Sequence, residues 1–283
     1  MCTHPVVTRI CRESYSAPQR VYSRLKQAGM DLVTLTDHDS IDGAEPLRKY
    51  PDFFLSEEVT CRMPGGTLVH IGVLDLTERD HLEIQRRRDD LPRLLACLTE
   101  RRLLFTVNHM FSSLTGRREL DDFSWFRAYF PAVEARNGHA SPFHNRQAER
   151  FALREGKIAL AGSDSHALPS LGGTYTEVPG ARDKAEFLRG IWAGKAVARG
   201  THGNYFKLTR DIFHIVASMM CESPWTASLA PVAVLVPVAT FVTALNDMLF
   251  ARRWSARAFS SEDQRNRLPG ASRQLPAEVF AWP

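Results

Sequence analysis

The sequence predicts an α/β protein made of βα units around a parallel sheet or barrel. Apolar runs of strand length alternate with segments of helical period over roughly the first 200 of 283 residues. Histidines and acidic residues recur at or near the C-terminal ends of those runs. That placement suits a βα architecture, because its loops converge where the strands end.

Each element has a local reason. Ser16 is placed to cap a helix whose first turn holds Pro18; Val21, Leu25 and Ala28 share one face, and Gly29 ends it. Strands are expected at 32–36, 53–60 and 68–74. A polar helical stretch begins near Asp80 and restarts at Pro92, with Leu91, Leu94, Leu95 and Leu98 at core spacing. Strands at 103–108, 132–136 and 157–163 follow, making six, with helices at 121–128 and 142–155 between them. A helix at 184–192 and the turn Ala193-Gly194-Lys195 close the unit near residue 200.

Composition narrows the function classes. Hydrophobic residues make up 44% and charged residues 24%, as in an ordinary folded protein. Cys2, Cys11, Cys61, Cys97 and Cys221 are scattered without a CxxC pair, which argues against a zinc knuckle or disulfide framework and fits a reducing compartment. No charged region followed by an apolar stretch opens the chain, so a cytoplasmic protein is expected. The net charge of +4 lies largely beyond Ala251, where six arginines face three acidic residues. Stable duplex nucleic-acid binding therefore has no support from charge, whereas a small phosphorylated substrate does not depend on it.

Two strings carry the chemistry: Thr36-Asp37-His38-Asp39-Ser40 and Gly162-Ser163-Asp164-Ser165-His166. Each follows an apolar run and opens into a turn, so either one alone also reads as an ordinary polar loop. Similar placements elsewhere change the balance: His70 lies within one apolar run, His109 ends another, Glu58 closes a third and His4 stands near the start. Glu134 sits in a further run, suited to supporting a ligand and nearly as well to burial with a partner. Imidazole nitrogen and carboxylate oxygen are the donors that hold zinc, manganese or iron in hydrolytic centres, and a bridging carboxylate brings two ions together.

In this order and spacing, TLTDHDSIDG, SEEVTCRMPGGTLVHIGVLDL, FTVNH and AGSDSHA resemble the PHP domain, named for polymerases and histidinol phosphatases. The resemblance covers residues 1–200. It implies a distorted seven-stranded (β/α) barrel, two or three divalent metal ions (Mn, Zn or Fe) and hydrolysis of a phosphoester, with nucleotide bisphosphates or short RNA 5′ ends as substrates of the nearest branch. Residue by residue, it implies metal ligation by His38, His70, His109, Asp164 and His166, with Glu58 bridging and His4 as the second histidine of the opening motif.

The opening motif departs from the family. Cys2 stands where its first histidine belongs, only Met1 precedes it, and Arg9 replaces a common aspartate, so the first barrel strand is largely missing. Either the reading is truncated or one metal subsite is lost. Truncation is the preferred account, because a barrel without its first strand exposes a sheet edge.

A complete site is expected to hydrolyse phosphoesters with a metal-bound hydroxide and no covalent phosphoenzyme. Asp37 and Asp39 are read as orienting metal-bound imidazoles. Arg9 is the leading phosphate-binding and catalytic cation, with Arg117, Arg118 and Arg136 weaker choices that also read as surface arginines. Arg86, Arg87 and Arg88 read as a solvated helix face. His81, His139, His144, His202 and His214 lack strand context and read as structural.

Residues 201–253 form an apolar helical extension and 254–283 a flexible polar tail. No charged residue occurs over 223–246, a run long enough to cross a bilayer, with Trp225 at one end and Arg252 and Arg253 beyond the other. Pro231 and Pro237 interrupt a regular helix. A span, a one-sided attachment and a soluble apolar hairpin all stay open. So do two functional alternatives: a catalytically impaired PHP module acting as a membrane-attached scaffold or regulator, and a C–N bond metallohydrolase, although no lysine stands at the strand ends to be carboxylated.

Overall fold

The computed structural model describes residues 14–265, so His4, Arg9 and the rest of the opening motif lie outside the described residues. The first described helix, α1 (Pro18–Gln27), starts at its proline as expected, but Ala17 occupies the N-cap position. Ser16 instead donates its backbone N–H to Ser14 Oγ at 3.2 Å.

The sheet differs from the all-parallel expectation. Strand β1 (Ser56–Arg62) pairs antiparallel with β2 (Leu68–Leu74), and β2 pairs antiparallel with β3 (Leu104–Val107). Only β3, β4 (Ala132–Asn137) and β5 (Ile158–Gly162) run parallel. The short Met63-Pro64-Gly65-Gly66-Thr67 connection explains the first reversal: it has room for a hairpin turn, with Gly66 at φ 88°, and none for a crossover helix.

These five strands form one open sheet in the order β1-β2-β3-β4-β5, and no closed barrel occurs among the described residues. Strands β6 (Thr174–Glu177) and β7 (Val197–Gly200) form a separate antiparallel pair that sequence reading does not anticipate. Thr176 Oγ1 ties that pair to β5, accepting from Ala161 N at 2.8 Å and donating to Ala161 O at 3.0 Å. The expected strand at 32–36 is not a strand of the sheet; parallel bridges join Val33 to Phe53 and His38 to Glu58, and Thr34 Oγ1 donates to Ser56 Oγ at 2.7 Å. Those two bridges nevertheless bring the histidine of the first motif against the carboxylate of β1.

Helices cover the sheet. Thr77 and Asp80 form a reciprocal cap on α2 (Glu78–Gln85), and Asp90 caps α3 (Leu91–Glu100). Helix α3 buries Leu91, Leu94, Leu95 and Leu98 as its spacing predicts, each burial contributing roughly 1.5–3 kcal/mol. Helices α4 (Leu120–Tyr129) and α5 (Pro142–Arg154) deliver Phe123, Phe126 and Phe151 to an aromatic core around Phe105, Phe111 and Phe130. Helix α6 (Lys184–Trp192) precedes β7.

The C-terminal part consists of α7 (Tyr205–Glu222), a 3-10 run (Pro224–Leu235) and α8 (Val236–Arg265). Here the expected flexible tail from residue 254 is corrected: the helix continues to Arg265, and Trp254, Ala258 and Phe259 are buried. The reason is aromatic packing, with Trp254 stacked on Phe123 at 6.3 Å and Phe259 6.4 Å from Phe111.

Candidate metal centre

Backbone pairing assembles a tight histidine cluster. The β1–β2 register sets Glu58 opposite Gly72 and Thr60 opposite His70, while the 38–58 bridge brings in His38 and β3 runs into His109. Glu58 is the hub: Oε2 lies 3.2 Å from His38 Nε2, and Oε1 lies 3.3 Å from His109 Nε2 and 3.7 Å from His70 Nδ1. His70 Nδ1 and His109 Nε2 are themselves 3.2 Å apart. Asn108, from the FTVNH string, donates to Glu58 Oε1 at 2.7 Å. Gly72 leaves room for that amide, since a Cβ there would lie 3.1 Å from Asn108 Oδ1 and 2.9 Å from Thr106 Cγ2.

A second group continues along the same cavity, whose lining includes His38, Glu58, His109, Glu134, Asp164 and His166. Glu134 accepts the His109 backbone N–H at 2.8 Å, and Asn137 Nδ2 reaches both Glu134 oxygens at 3.1 Å and Asp164 Oδ2 at 2.9 Å. His166 stands two residues on, its Nδ1 3.3 Å from the Asp164 carbonyl oxygen.

Three side-chain-bearing residues here adopt left-handed backbone: Asp39 (φ 53°), His109 (φ 29°) and Asp164 (φ 47°). Such conformations cost of order 1–3 kcal/mol and persist where the surroundings enforce them. The enforcing bonds are Asp39 N to Glu58 O at 2.9 Å, His109 N to Glu134, and the Asp164 carbonyl held by His139 Nδ1 at 2.7 Å.

The electrostatics follow from burial against mutual charge. Burial pushes the Glu58 carboxyl up, but His109, His70 and His38 outweigh it and hold Glu58 well below the carboxylate range. Burial likewise disfavours the His109 cation, yet its bond to Glu58 and the charges of Asp164 and Glu134 raise it to about 9. Burial, then the neighbouring His109, lowers His70 to about 3. Glu134 is raised to about 7 by burial, with the Asp164 charge adding to it.

Divalent cations fit this donor set. Three imidazoles converge on one carboxylate, two of their nitrogens face each other, and His109 Nδ1 is buried without a hydrogen-bond partner among the described residues. One proton cannot satisfy so many lone pairs, whereas a borderline cation takes N and O donors together. His38, Glu58 and His70 offer ligand atoms within 4.8 Å of one another. A cation that takes His109 Nε2 must displace its proton. Loading at neutral pH is therefore expected to release about one proton from this residue, and affinity is expected to rise with pH up to about 9. Calorimetry in buffers of different ionisation enthalpy counts that proton; a count of zero would contradict the arrangement.

Other predicted residues lie apart from the cluster. Asp37 lines the cavity with its carboxylate against Gly43, where a Cβ would sit 2.3 Å from Oδ2. Asp39 turns away to the Thr60 N–H at 2.8 Å and to Arg88 at 2.7 Å, which gives Arg88 a fixed partner in place of a purely solvated role. Arg117 is exposed and Arg118 is buried, donating to the Leu68 and Met110 carbonyls; neither belongs to the cavity lining. Arg136 is also outside the lining and pairs with Glu149 at 2.6 Å. Among the described residues the cations that line the cavity are Arg182 and Lys184, the latter 2.9 Å from Asp75.

His139, which sequence reading groups with the structural histidines, lies against the site. Its Nδ1 faces the Asp164 carbonyl and must donate to it, and its Nε2 lies 2.8 Å from Asp211 Oδ2 on α7. Ser170 Oγ and Arg210 also bond Asp211. The signal available in the sequence is the position of His139 just beyond the predicted strand 132–136; the partner 72 residues away leaves none. Asp211→Asn is expected to weaken metal retention by about 10–100-fold through a loosened Asp164 loop while the fold persists. Chelator competition against the thermal melt checks this: unchanged retention would mean that Asp211 does not position Asp164.

Fold and site together define a mixed α/β protein whose histidine–carboxylate cluster is drawn from within β1 and β2 and from the segments that follow β3 and β5. A family model described as PHP-associated matches residues 142–196, the stretch holding α5, β5, Asp164, His166 and α6. Over that stretch the chain is similar to the PHP-associated family, in line with the resemblance of its motifs. Among solved structures, PsfC from Pseudomonas syringae PB-5123 shares the fold at 18% identity, covering 72% of this chain and 91% of that one with a TM-score of 0.54. A "putative metal-dependent phosphoesterase" from Bifidobacterium adolescentis matches at 12% identity over 64% of this chain and 92% of that one, with a TM-score of 0.46. No curated protein sequence matches.

Proposed function

We propose that the chain is a metal-dependent phosphoesterase acting on a small phosphorylated substrate, with nucleotides the leading class. The observation that carries this reading is the convergence of His38, His70 and His109 on the buried carboxylate of Glu58, beside a cavity that also exposes Asp164 and His166. These six side chains would hold divalent ions of the Mn, Zn or Fe type. Such ions supply Lewis acidity toward phosphoryl oxygens and make water a usable nucleophile near neutral pH.

The chain's own residues do the positioning. Asn108 holds Glu58, Glu134 holds the His109 backbone, and Asn137 couples Glu134 to Asp164, so the two groups of ligands keep a fixed relation. Arg182 and Lys184 on the cavity wall give the phosphate positive charge to meet. The strings that carry these ligands, TDHDS, SEEVT, LVHIGVL, FTVNH and AGSDSHA, contain no lysine to be carboxylated as a C–N hydrolase of that type requires, which favours phosphoester chemistry.

Elemental analysis of the purified chain is expected to find Mn, Fe or Zn, and bis(p-nitrophenyl) phosphate and nucleotide bisphosphates are expected to be turned over. A folded protein that retains no metal after incubation with each ion would sink this reading. Metal binding without turnover of any phosphoester would favour the impaired scaffold instead.

A further inference from the structure

The metal centre leaves the apolar C-terminal excursion without a role. Residues 223–246 carry no charged side chain, and Ala230–Ser260 is, among the described residues, the one helix long and apolar enough to cross a membrane by length and composition. Little of its apolar window is buried. Val234, Val238, Phe241, Val242, Leu245 and Leu249 succeed one another at helical spacing with exposures of 39–75%, forming a continuous stripe. An apolar surface of this extent calls for a cover.

The shape and charge of the surface indicate which cover. Residues 241–243, at successive 100° steps around the helix, are all exposed, and among their neighbours Thr240 alone is buried, bonded to Thr209 of α7 at 2.8 Å. A folded partner seals one face of a helix, whereas lipid surrounds it. Trp225 is exposed to 65% in the preceding 3-10 run. At the other end, about one turn after Leu249, the stripe passes into exposed Arg252 and Arg253, with Arg257 following. An apolar stripe ending in arginines matches hydrocarbon bounded by anionic headgroups.

Both ends of the excursion are fixed to the same body. On the incoming side, Asp211 of α7 is bonded to His139 and Ser170. On the outgoing side, Asp247 accepts from Ser112 Oγ at 2.7 Å and Ser113 N at 2.8 Å, and Ala251, Trp254, Ala258 and Phe259 are buried in the core. A segment anchored this way enters and leaves on one side. We propose that residues 224–245 form a one-sided anchor that seats the protein on an anionic bilayer without crossing it.

Flotation of the full chain with vesicles tests this independently of catalysis. The chain is expected to float with phosphatidylcholine vesicles containing phosphatidylglycerol and to float less with phosphatidylcholine alone. Phe241→Glu with Leu245→Glu, both exposed positions, should lower partitioning at least about tenfold without altering the thermal melt. Arg252→Glu with Arg253→Glu should remove the dependence on anionic lipid. Tags at both termini of the bound protein should stay open to protease added outside. Protection of one terminus, undiminished flotation of the Phe241/Leu245 variant, or a stable soluble dimer that does not float would overturn the proposal.

Discussion

Glu58→Ala is expected to abolish metal retention and reduce phosphoester turnover by more than about 100-fold, the largest functional loss available from one substitution. Glu58 contacts three imidazoles and the Asn108 amide at once, so its removal takes away a charge and a geometric reference together. His70 and His109 would then face each other at close range with no anion between the rings. Glu58→Gln separates the two contributions. It keeps the size and one acceptor oxygen but lacks the charge, so it should retain the fold and still fail to hold metal. Elemental analysis and initial rates on bis(p-nitrophenyl) phosphate read both variants. A Glu58→Gln protein with full metal and full rate would show that the carboxylate is not a ligand.

Phe111→Ala is expected to destabilise the protein by about 3–5 kcal/mol, the largest stability loss from a single site. Phe111 is fully buried and packs against Phe123, Phe151, Phe259 and the His144 ring, at centroid distances of 5.5, 6.5, 6.4 and 6.2 Å. It therefore joins α4, α5 and α8 at one point, and no single neighbour can fill the space it leaves. Phe111 also lies two residues after His109, and Ser112 beside it bonds Asp247. Metal retention should consequently fall along with the denaturant midpoint. A loss under about 1 kcal/mol would mean that the surrounding helices collapse onto the site.

How much was legible follows from the range of each interaction. Helix α3 was readable because Leu91, Leu94, Leu95 and Leu98 repeat at helical spacing behind a capping Asp90. Strands β2 and β5 were readable as apolar runs bounded by turn residues. The antiparallel direction of β1 relative to β2 departs from the parallel expectation, and its physical reason is the five-residue connection with Pro-Gly-Gly, too short for a crossover. Strands β6 and β7 are short and mixed in polarity, so neither periodicity nor apolar content marks them.

The ligand candidates themselves were local signals, each a histidine or acid beside an apolar run. Their neighbours were not. Asn108 carries no local sign of its bond to Glu58, His139 reads as a structural histidine, and Asp211 falls in the C-terminal extension. Each acquires its meaning from a residue 25 to 72 positions away, which no spacing rule reaches.

The sequence by itself determined which side chains could bind metal, because imidazole and carboxylate chemistry belongs to the residue and its strand-end position is a local property. It also determined that an uncharged apolar segment lies between two polar ones. Only the tertiary structure decided which ligands meet: backbone pairing of 38 with 58 and of 60 with 70 gathers His38, Glu58 and His70, while the left-handed turn at His109 aims its ring at the same carboxylate. It decided, too, that the apolar segment is tethered at both ends, because Asp211 and Asp247 find their partners on the α/β body. Distance along the chain carries no information about such contacts; burial and hydrogen bonding select them once the sheet has formed.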